Sequence, residues 1–372
     1  MTQKNTLSHL VAWDTAAQVA AQLVPAGPQK TVQEMTRAVE SIRYAALASV
    51  EHVYRITQLE VAHQLTDSQV LVIDRPTWSQ ANTQAFSTML NTEPSSRLVQ
   101  KMKKLTKTQK TLVNYATAVE VGAVLAYLST RVLGQYEPYA ARAGYGASGG
   151  RLMLVAPNIL ALEEELHLDP EDFRLWVCLH EQTHRVQFAA APWLDEYILQ
   201  LVHRLSSDLG SNTEELFGRV IYTAKSSLGD SRSTDSDPTS FTMNDSAHKT
   251  LSKVTAVMSL LEGHANVVMD SIDASVVPSI KTIRQRFNRR SQTHTFFHKI
   301  VQKLFGMERK LQQYKDGQKF VQYIVDAQGM DRFNMIWERP ENLPTEQEIH
   351  HPQQWIDRVL ASTEHVIPWA GE

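Results

Sequence analysis

The sequence has few cysteines, a small net charge and no long apolar run, and each of these excludes a class of protein or partner. It has one cysteine in 372 residues, Cys178, so an internal disulfide is excluded. Its net charge of -3 gives no reason to expect nucleic acid or an anionic membrane as a partner. No apolar run approaches the roughly 18 residues of a membrane span, and the first residues lack the basic and apolar segments of a signal peptide. We therefore expect a cytoplasmic protein.

Most of the chain has the apolar spacing of amphipathic helices, and 42% of its residues are hydrophobic, which is enough for a large core. The expected fold class is α+β, predominantly helical, with a small sheet. Helices are predicted over 15–23, 31–64, 78–90, 111–132 and 251–269. A strand is predicted over 151–156, and 70–73 is predicted as a strand or a loop. We expect an N-terminal helical region (1–135) packed on a catalytic region (136–372), together one compact unit, with a polar insertion at about 225–250.

The most informative motif is His-Glu-x-x-His at residues 180–184. Histidines four residues apart on a helix project from one face, so His180 and His184 can reach the same ion. Glu181 is placed to take a proton from a water at that ion. Zinc with one open coordination position requires this arrangement to hydrolyse an amide or an ester.

The surrounding sequence predicts that this motif lies on a buried helix. Asp169 and Pro170 are typical of a helix start, with a capping carboxylate followed by proline at the first helical position. Apolar residues then cover much of the helix circumference. Cys178 falls within this helix but points away from the histidines, so we interpret it as an inert buried thiol rather than a ligand.

A third ligand is expected from the predicted helix at 251–269. Glu262 lies among apolar residues, where an unpaired carboxylate would be costly and a cation would compensate it. Gly263 would allow another backbone to approach closely. His264 is the alternative third ligand, although it lies on the opposite helical face from Glu262. Asn266 and Asp270 could orient a zinc-bound histidine by hydrogen-bonding to the ring nitrogen that does not face the metal.

With these residues identified, the chain resembles a known family. The combination of His-Glu-x-x-His with a distant Leu-x-Glu-Gly-x-Ala is similar to the gluzincin branch of zinc metallopeptidases, and most similar to the bacterial zincin-like metallopeptidase type 2 family. That family is often associated with deazaflavin coenzyme biosynthesis. The resembling segments are 133–136, 150–158, 173–188, 261–270, 333–337 and 340–345. Residues 185–261 form a longer spacer than in the short-spacer gluzincins.

The resemblance implies a zincin-like core with added N- and C-terminal helices. It implies zinc held by His180, His184 and Glu262, with Glu181 as the catalytic acid and base. The predicted function is a zinc metallopeptidase in which Glu181 activates a water at the fourth zinc position. The predicted partner is a peptide or small amide substrate, and neither its identity nor the oligomeric state is predicted.

Further site residues are predicted less directly. In zincins a strand before the metal helix edges the cleft, so by resemblance Leu152–Val155 would pair with an extended peptide and Asn158 could contact the cleft. The alternative is that Leu152–Val155 form an ordinary core strand. Tyr314 is a candidate for stabilising an oxyanion. The polar insertion is a mobile surface loop or a lid. The glycine-rich segment 144–150 is interpreted as a turn rather than a phosphate loop, since a helix precedes it and a strand follows.

Two alternatives stay open at this point. A ferritin-like di-iron site would pair Glu60 and His63 with Glu181 and His184, since such sites use two Glu-x-x-His pairs. That site leaves His180 without a role, whereas zinc accounts for both histidines. The other alternative is a catalytically silent zincin scaffold that acts as a binding protein.

Overall fold

The computed structural model describes residues 11–90, 106–209, 245–290 and 314–361 of the chain. These residues are mostly helical and include one three-stranded sheet, which confirms the predicted class. The longer helices are α1 (Trp13–Leu23), α2 (Val32–Thr57), α3 (Arg75–Met89), α4 (Lys107–Ser129), α5 (Ala156–Glu165), α6 (Pro170–Ala190), α7 (Leu194–Leu209), α8 (Asp245–Ser271), α9 (Ile280–Arg290) and α10 (Tyr314–Gln328). Short helical segments occupy most of 330–360.

The sheet contains β1 (Gln69–Ile73), β2 (Gly134–Glu137) and β3 (Arg151–Val155), in the order β1-β3-β2. β1 runs parallel to β3, and β2 runs antiparallel to it. The segment 70–73 is therefore a strand. The predicted boundary between 1–135 and 136–372 falls inside β2, so both regions contribute to one sheet. Their division into regions stays a prediction.

The predicted peptide-binding role of Leu152–Val155 is wrong. β3 is the central strand, and both of its edges are hydrogen-bonded to neighbouring strands. A strand in that position has no free backbone donors or acceptors for a substrate. Within the described residues, the strand next to α6 with one unpaired edge is β2.

The predicted helix over 31–64 is too long. α2 ends at Thr57 because Gln58 adopts a left-handed backbone with φ of 55°, and a 3-10 segment, Glu60–Asp67, follows. The apolar spacing continues across this break, which is why periodicity alone extends the helix. The turn directs the chain from α2 into β1.

The predicted start of the metal-motif helix is confirmed. Asp169 caps α6, with its Oδ1 accepting a hydrogen bond of 3.0 Å from the backbone N–H of Asp172, and Pro170 is the first helical residue. Capping of this kind contributes on the order of 1 kcal/mol to helix stability. α6 then runs through the main core, where Phe173, Val177 and Leu179 are buried.

The core encloses α6 on several sides. Its apolar residues pack with those of α2, α5, α9 and the end of α8. Cys178 is fully buried, with its Sγ 3.8 Å from the carbonyl oxygen of Ile42, and burial raises the pKa of its thiol. The cysteine is therefore a packing residue, as predicted.

α4 includes a stretch, 111–129, that is long and apolar enough to cross a membrane by length and composition alone. The expectation that no run approaches that length is therefore corrected. Core helices can have the same length and composition, so this stretch does not by itself show a membrane span. The second half of α4 packs closely on α1, with Ala118 buried against Ala16 and a Cβ at Gly122 placed 2.7 Å from the carbonyl oxygen of Ala16.

The polar insertion predicted at 225–250 lies outside the described residues up to position 244. Its final residues, from Asp245 onward, form the first turns of α8. The predicted helix at 251–269 is therefore confirmed but starts earlier.

α8 and α10 cross with their backbones nearly in contact at Gly263 and Gly317. A Cβ added at Gly263 would overlap the Gly317 backbone and lie 2.7 Å from the N of Gln318. A Cβ added at Gly317 would overlap the carbonyl of Ser259. The predicted close approach at Gly263 is confirmed, and it fixes the position of the neighbouring Glu262.

We expect Gly263→Ala to destabilise the fold by about 1–3 kcal/mol or more, because the obstructing atoms are backbone and cannot rotate away. The free energy of unfolding, measured with urea, tests this. Lys253→Ala, at an exposed position of the same helix, should change it by no more than about 0.5 kcal/mol. Equal stability of the two variants would show that the helices do not cross this tightly.

Candidate metal centre

Three side chains from two helices converge on one point. His180 and His184 of α6 have their Nε2 atoms 3.3 Å apart. The carboxylate of Glu262 on α8 lies 4.0 Å from the Nε2 of His180 and 3.7 Å from that of His184. The two imidazole rings are nearly perpendicular, at 87°. In the described part of the chain, this is the group of histidine, cysteine and acidic residues that could hold a metal ion.

The separation between the two imidazoles matches the spacing of zinc ligands, and the separations from the carboxylate are longer than hydrogen bonds. Zinc bound at about 2.0–2.2 Å by tetrahedral ligands places those ligands about 3.3–3.6 Å apart. The two carboxylate contacts, at 3.7 and 4.0 Å, are too long for hydrogen bonds but close to that tetrahedral edge. Two imidazoles and one carboxylate form a donor set that zinc uses in hydrolases. The residues therefore fit the ion that the sequence predicts.

The electrostatics of His180 favour cation binding. Burial, assisted by the neighbouring His184, lowers the pKa of His180 to about 3. The imidazole is therefore neutral near pH 7, which is the form that offers a lone pair to a metal. Its side chain is still partly exposed, at 27%, so solutes can reach the site.

Glu181 lies beside this group but is not one of the three converging side chains. Burial raises the pKa of its carboxyl to about 7, while His184 lowers it and Glu262 raises it to smaller extents. A carboxyl with that pKa can both accept and release a proton at neutral pH, as a general acid and base must. Gly134 of β2 packs directly on it, and a Cβ there would lie 2.5 Å from the Cγ of Glu181.

Gly134→Ala should therefore displace the Glu181 carboxylate without unfolding the protein, because the obstructed atoms belong to a side chain that can rotate. We expect at least about a hundredfold loss of hydrolysis with zinc still bound, since misplacing a catalytic group by about 1 Å costs that much. Peptide cleavage rates and zinc content measure the two effects. Gly144→Asn is the control, because nothing lies within 4 Å of a Cβ there and asparagine tolerates its φ of 83°. Full activity in Gly134→Ala would contradict the close contact.

His264, the alternative third ligand, does not face the converging atoms. It is fully buried, and its Nδ1 lies 3.0 Å from the Nε2 of Gln187, in a layer behind the three converging side chains. Asp270 is also displaced from its predicted role. Its carboxylate is exposed and accepts a hydrogen bond of 2.5 Å from Gln318. The side chain behind His184 is Gln187, a residue that the sequence analysis did not identify.

Other predicted residues are placed elsewhere. Asn158 is buried, donating to the carbonyls of Ser129 and Val132 and accepting from Arg75, so it joins α5 to its neighbours and does not contact the cleft. The side chain of Tyr314 lies outside the described part of the structure. Residues 144–150 form a turn with three glycines at positive φ, as predicted.

The di-iron alternative is not supported. In the 3-10 segment that follows α2, Glu60 accepts a hydrogen bond of 2.8 Å from Tyr54, and His63 lies 3.2 Å from Glu51. Among the described residues, these groups do not join Glu181 and His184 in a metal-binding cluster.

Comparisons with known proteins identify the family of the chain. The chain matches the family model of zincin-like metallopeptidases over residues 11–356 and belongs to that family. It is also similar to a crystal structure from Chloroflexus aurantiacus described as "a putative hydrolase with a novel fold". The identity is 29% and the TM-score 0.65, with 94% of this chain and 98% of that chain covered. No curated protein gives a significant match.

Proposed function

We propose that this protein is a zinc-dependent metallohydrolase, and specifically a metallopeptidase that cleaves a peptide or small amide. The observation that carries the proposal is the convergence of His180, His184 and Glu262 beside the buried carboxyl of Glu181. Family membership supports a metal at this place and hydrolysis as the reaction class.

The roles of the residues follow from their positions. His180, His184 and Glu262 would hold the ion, which when bound supplies polarisation of the scissile carbonyl and acidification of a water. Glu181 takes a proton from the attacking water and delivers it to the departing nitrogen, for which its pKa of about 7 is suitable. Gly134 leaves the space in which the Glu181 side chain sits.

We propose that the substrate backbone binds along the unpaired edge of β2. The N–H of Val155 donates to the carbonyl of Leu133 at 2.8 Å, so alternate β2 residues are bonded to β3. The backbone groups of Gly134 and Tyr136 then point toward the unpaired edge. An extended peptide paired there would lie next to Glu181, because Gly134 contacts that side chain.

A cleavage assay tests the proposal. Zinc-loaded protein incubated with a mixed peptide library should produce new termini detectable by mass spectrometry. A zinc chelator should stop the cleavage, and added zinc should restore it. Zinc-loaded protein that cleaves no amide would instead favour the silent scaffold. A cytoplasmic location and the absence of nucleic-acid or membrane partners stay predictions from the sequence.

A further inference from the structure

Gln187 lies one turn beyond His184 on α6 and is fully buried. Its Oε1 is 2.9 Å from the Nδ1 of His184. Its Nε2 is 2.9 Å from the carbonyl oxygen of Leu261 and 3.0 Å from the Nδ1 of His264, both on α8. The amide therefore bridges the two helices that carry the converging metal-binding atoms.

The carbonyl of Leu261 fixes the orientation of this amide. A carbonyl oxygen only accepts hydrogen bonds, so the nitrogen of Gln187 must face α8 and its oxygen must face His184. An amide oxygen also only accepts, so the proton of His184 must be on Nδ1. In the neutral imidazole, the Nε2 of His184 is then left with its lone pair directed toward His180 and Glu262.

His264 is the hydrogen-bond acceptor for the second N–H of the Gln187 amide. Its Nδ1 accepts that hydrogen, so a neutral His264 carries its proton on Nε2. The imidazole is held between aromatic rings, with centroids 5.3 Å from Phe333 and 5.4 Å from Trp337. Burial together with this packing keeps His264 in one position, and through it the amide of Gln187.

We infer that Gln187 is a positioning residue that selects the His184 tautomer presenting Nε2 to the metal, and that His264 holds Gln187 in the required orientation. The inference rests on the proposed function, since it assigns these residues to the same metal centre. Hydrogen-bond partners of this kind fix the ring orientation of a ligating histidine and strengthen it as a ligand. Gln187 makes no contact that would qualify it as a catalytic residue.

Metal affinity is the first test. Gln187→Met keeps the length of the side chain but removes the acceptor, and it should weaken zinc binding about 10- to 100-fold in competition with a chelator. Gln182→Met is the matched control, because Gln182 is a fully buried glutamine on the same helix whose Nε2 has no partner among the described residues. That variant should bind zinc within about twofold of wild type. Equal affinities for the two variants would overturn the inference.

The tautomer is the second test, and its measurement on wild-type protein does not depend on how a variant folds. In zinc-free wild-type protein with ¹⁵N-labelled histidine, the NMR signals of His184 should show a protonated Nδ1 and an unprotonated Nε2. Gln187→Met should lose this preference for a proton on Nδ1. If Gln187 only stabilised the fold, its replacement would leave the tautomer of His184 unchanged. A wild-type His184 protonated on Nε2 would overturn the inference even if zinc binds. Failure of wild-type protein to bind zinc at all would instead contradict the proposed function.

Discussion

Glu181→Gln should reduce peptide hydrolysis by about 10²- to 10⁴-fold while zinc remains bound at one ion per chain. A positioned general base or acid contributes a factor of that size, and glutamine cannot perform either role. The substitution changes one atom and preserves the length of the side chain, so the packing against Gly134 should be kept. Steady-state kinetics on a cleaved peptide and metal analysis of the same sample measure the two quantities.

The retention of zinc makes this result specific. Glu181 is outside the group of converging ligand atoms, so its neutralisation removes no ligand. Glu171→Gln, at an exposed position in the first turn of the same helix, is the control and should leave hydrolysis within about twofold. If Glu181→Gln hydrolyses peptide at the wild-type rate, another group must move the proton. If it loses zinc, Glu181 is a ligand and its proposed role is wrong.

His184→Ala should abolish stoichiometric zinc binding, with hydrolysis lost as a consequence. The substitution leaves His180 and Glu262 as the remaining ligands and removes the partner of Gln187. Zinc content after dialysis against a weak chelator measures the effect, and His180→Ala should give the same result. His63→Ala, which removes an exposed histidine of the 3-10 segment after α2, should keep its zinc.

The third ligand can be distinguished from the layer behind it by the size of the effect. Glu262→Ala should lower zinc affinity by more than the 10- to 100-fold expected for a residue that only supports a ligand. His264→Ala should fall within that smaller range, because its imidazole contacts Gln187 and not the converging atoms. A larger loss in His264→Ala than in Glu262→Ala would reverse the assignment.

The local parts of the site could be predicted from the sequence. The spacing of His180 and His184 places both on one helical face by geometry alone, and the Asp169 cap marks where that helix begins. Glu262 was identifiable because a carboxylate within an apolar stripe needs a compensating partner. Gly263 next to it indicated a backbone approach, which the contact with Gly317 confirms.

The parts that depend on distant contacts were missed or placed wrongly. Gln187 is three residues after His184, but its importance comes from the carbonyl of Leu261 on another helix, which local spacing does not reveal. A peptide-binding edge was predicted at β3 by resemblance, because β3 is the strand that precedes the metal-motif helix. A continuous apolar strand is typical of the centre of a sheet, however, where both edges are paired.

The most direct test of the metal centre is anomalous diffraction at the zinc edge from crystals of the zinc-loaded protein. We expect one zinc peak per chain, about 2.0–2.2 Å from the Nε2 atoms of His180 and His184 and from a carboxylate oxygen of Glu262. A zinc peak bound by other residues, two metal ions at this position, or no peak despite bound zinc in solution would contradict the account.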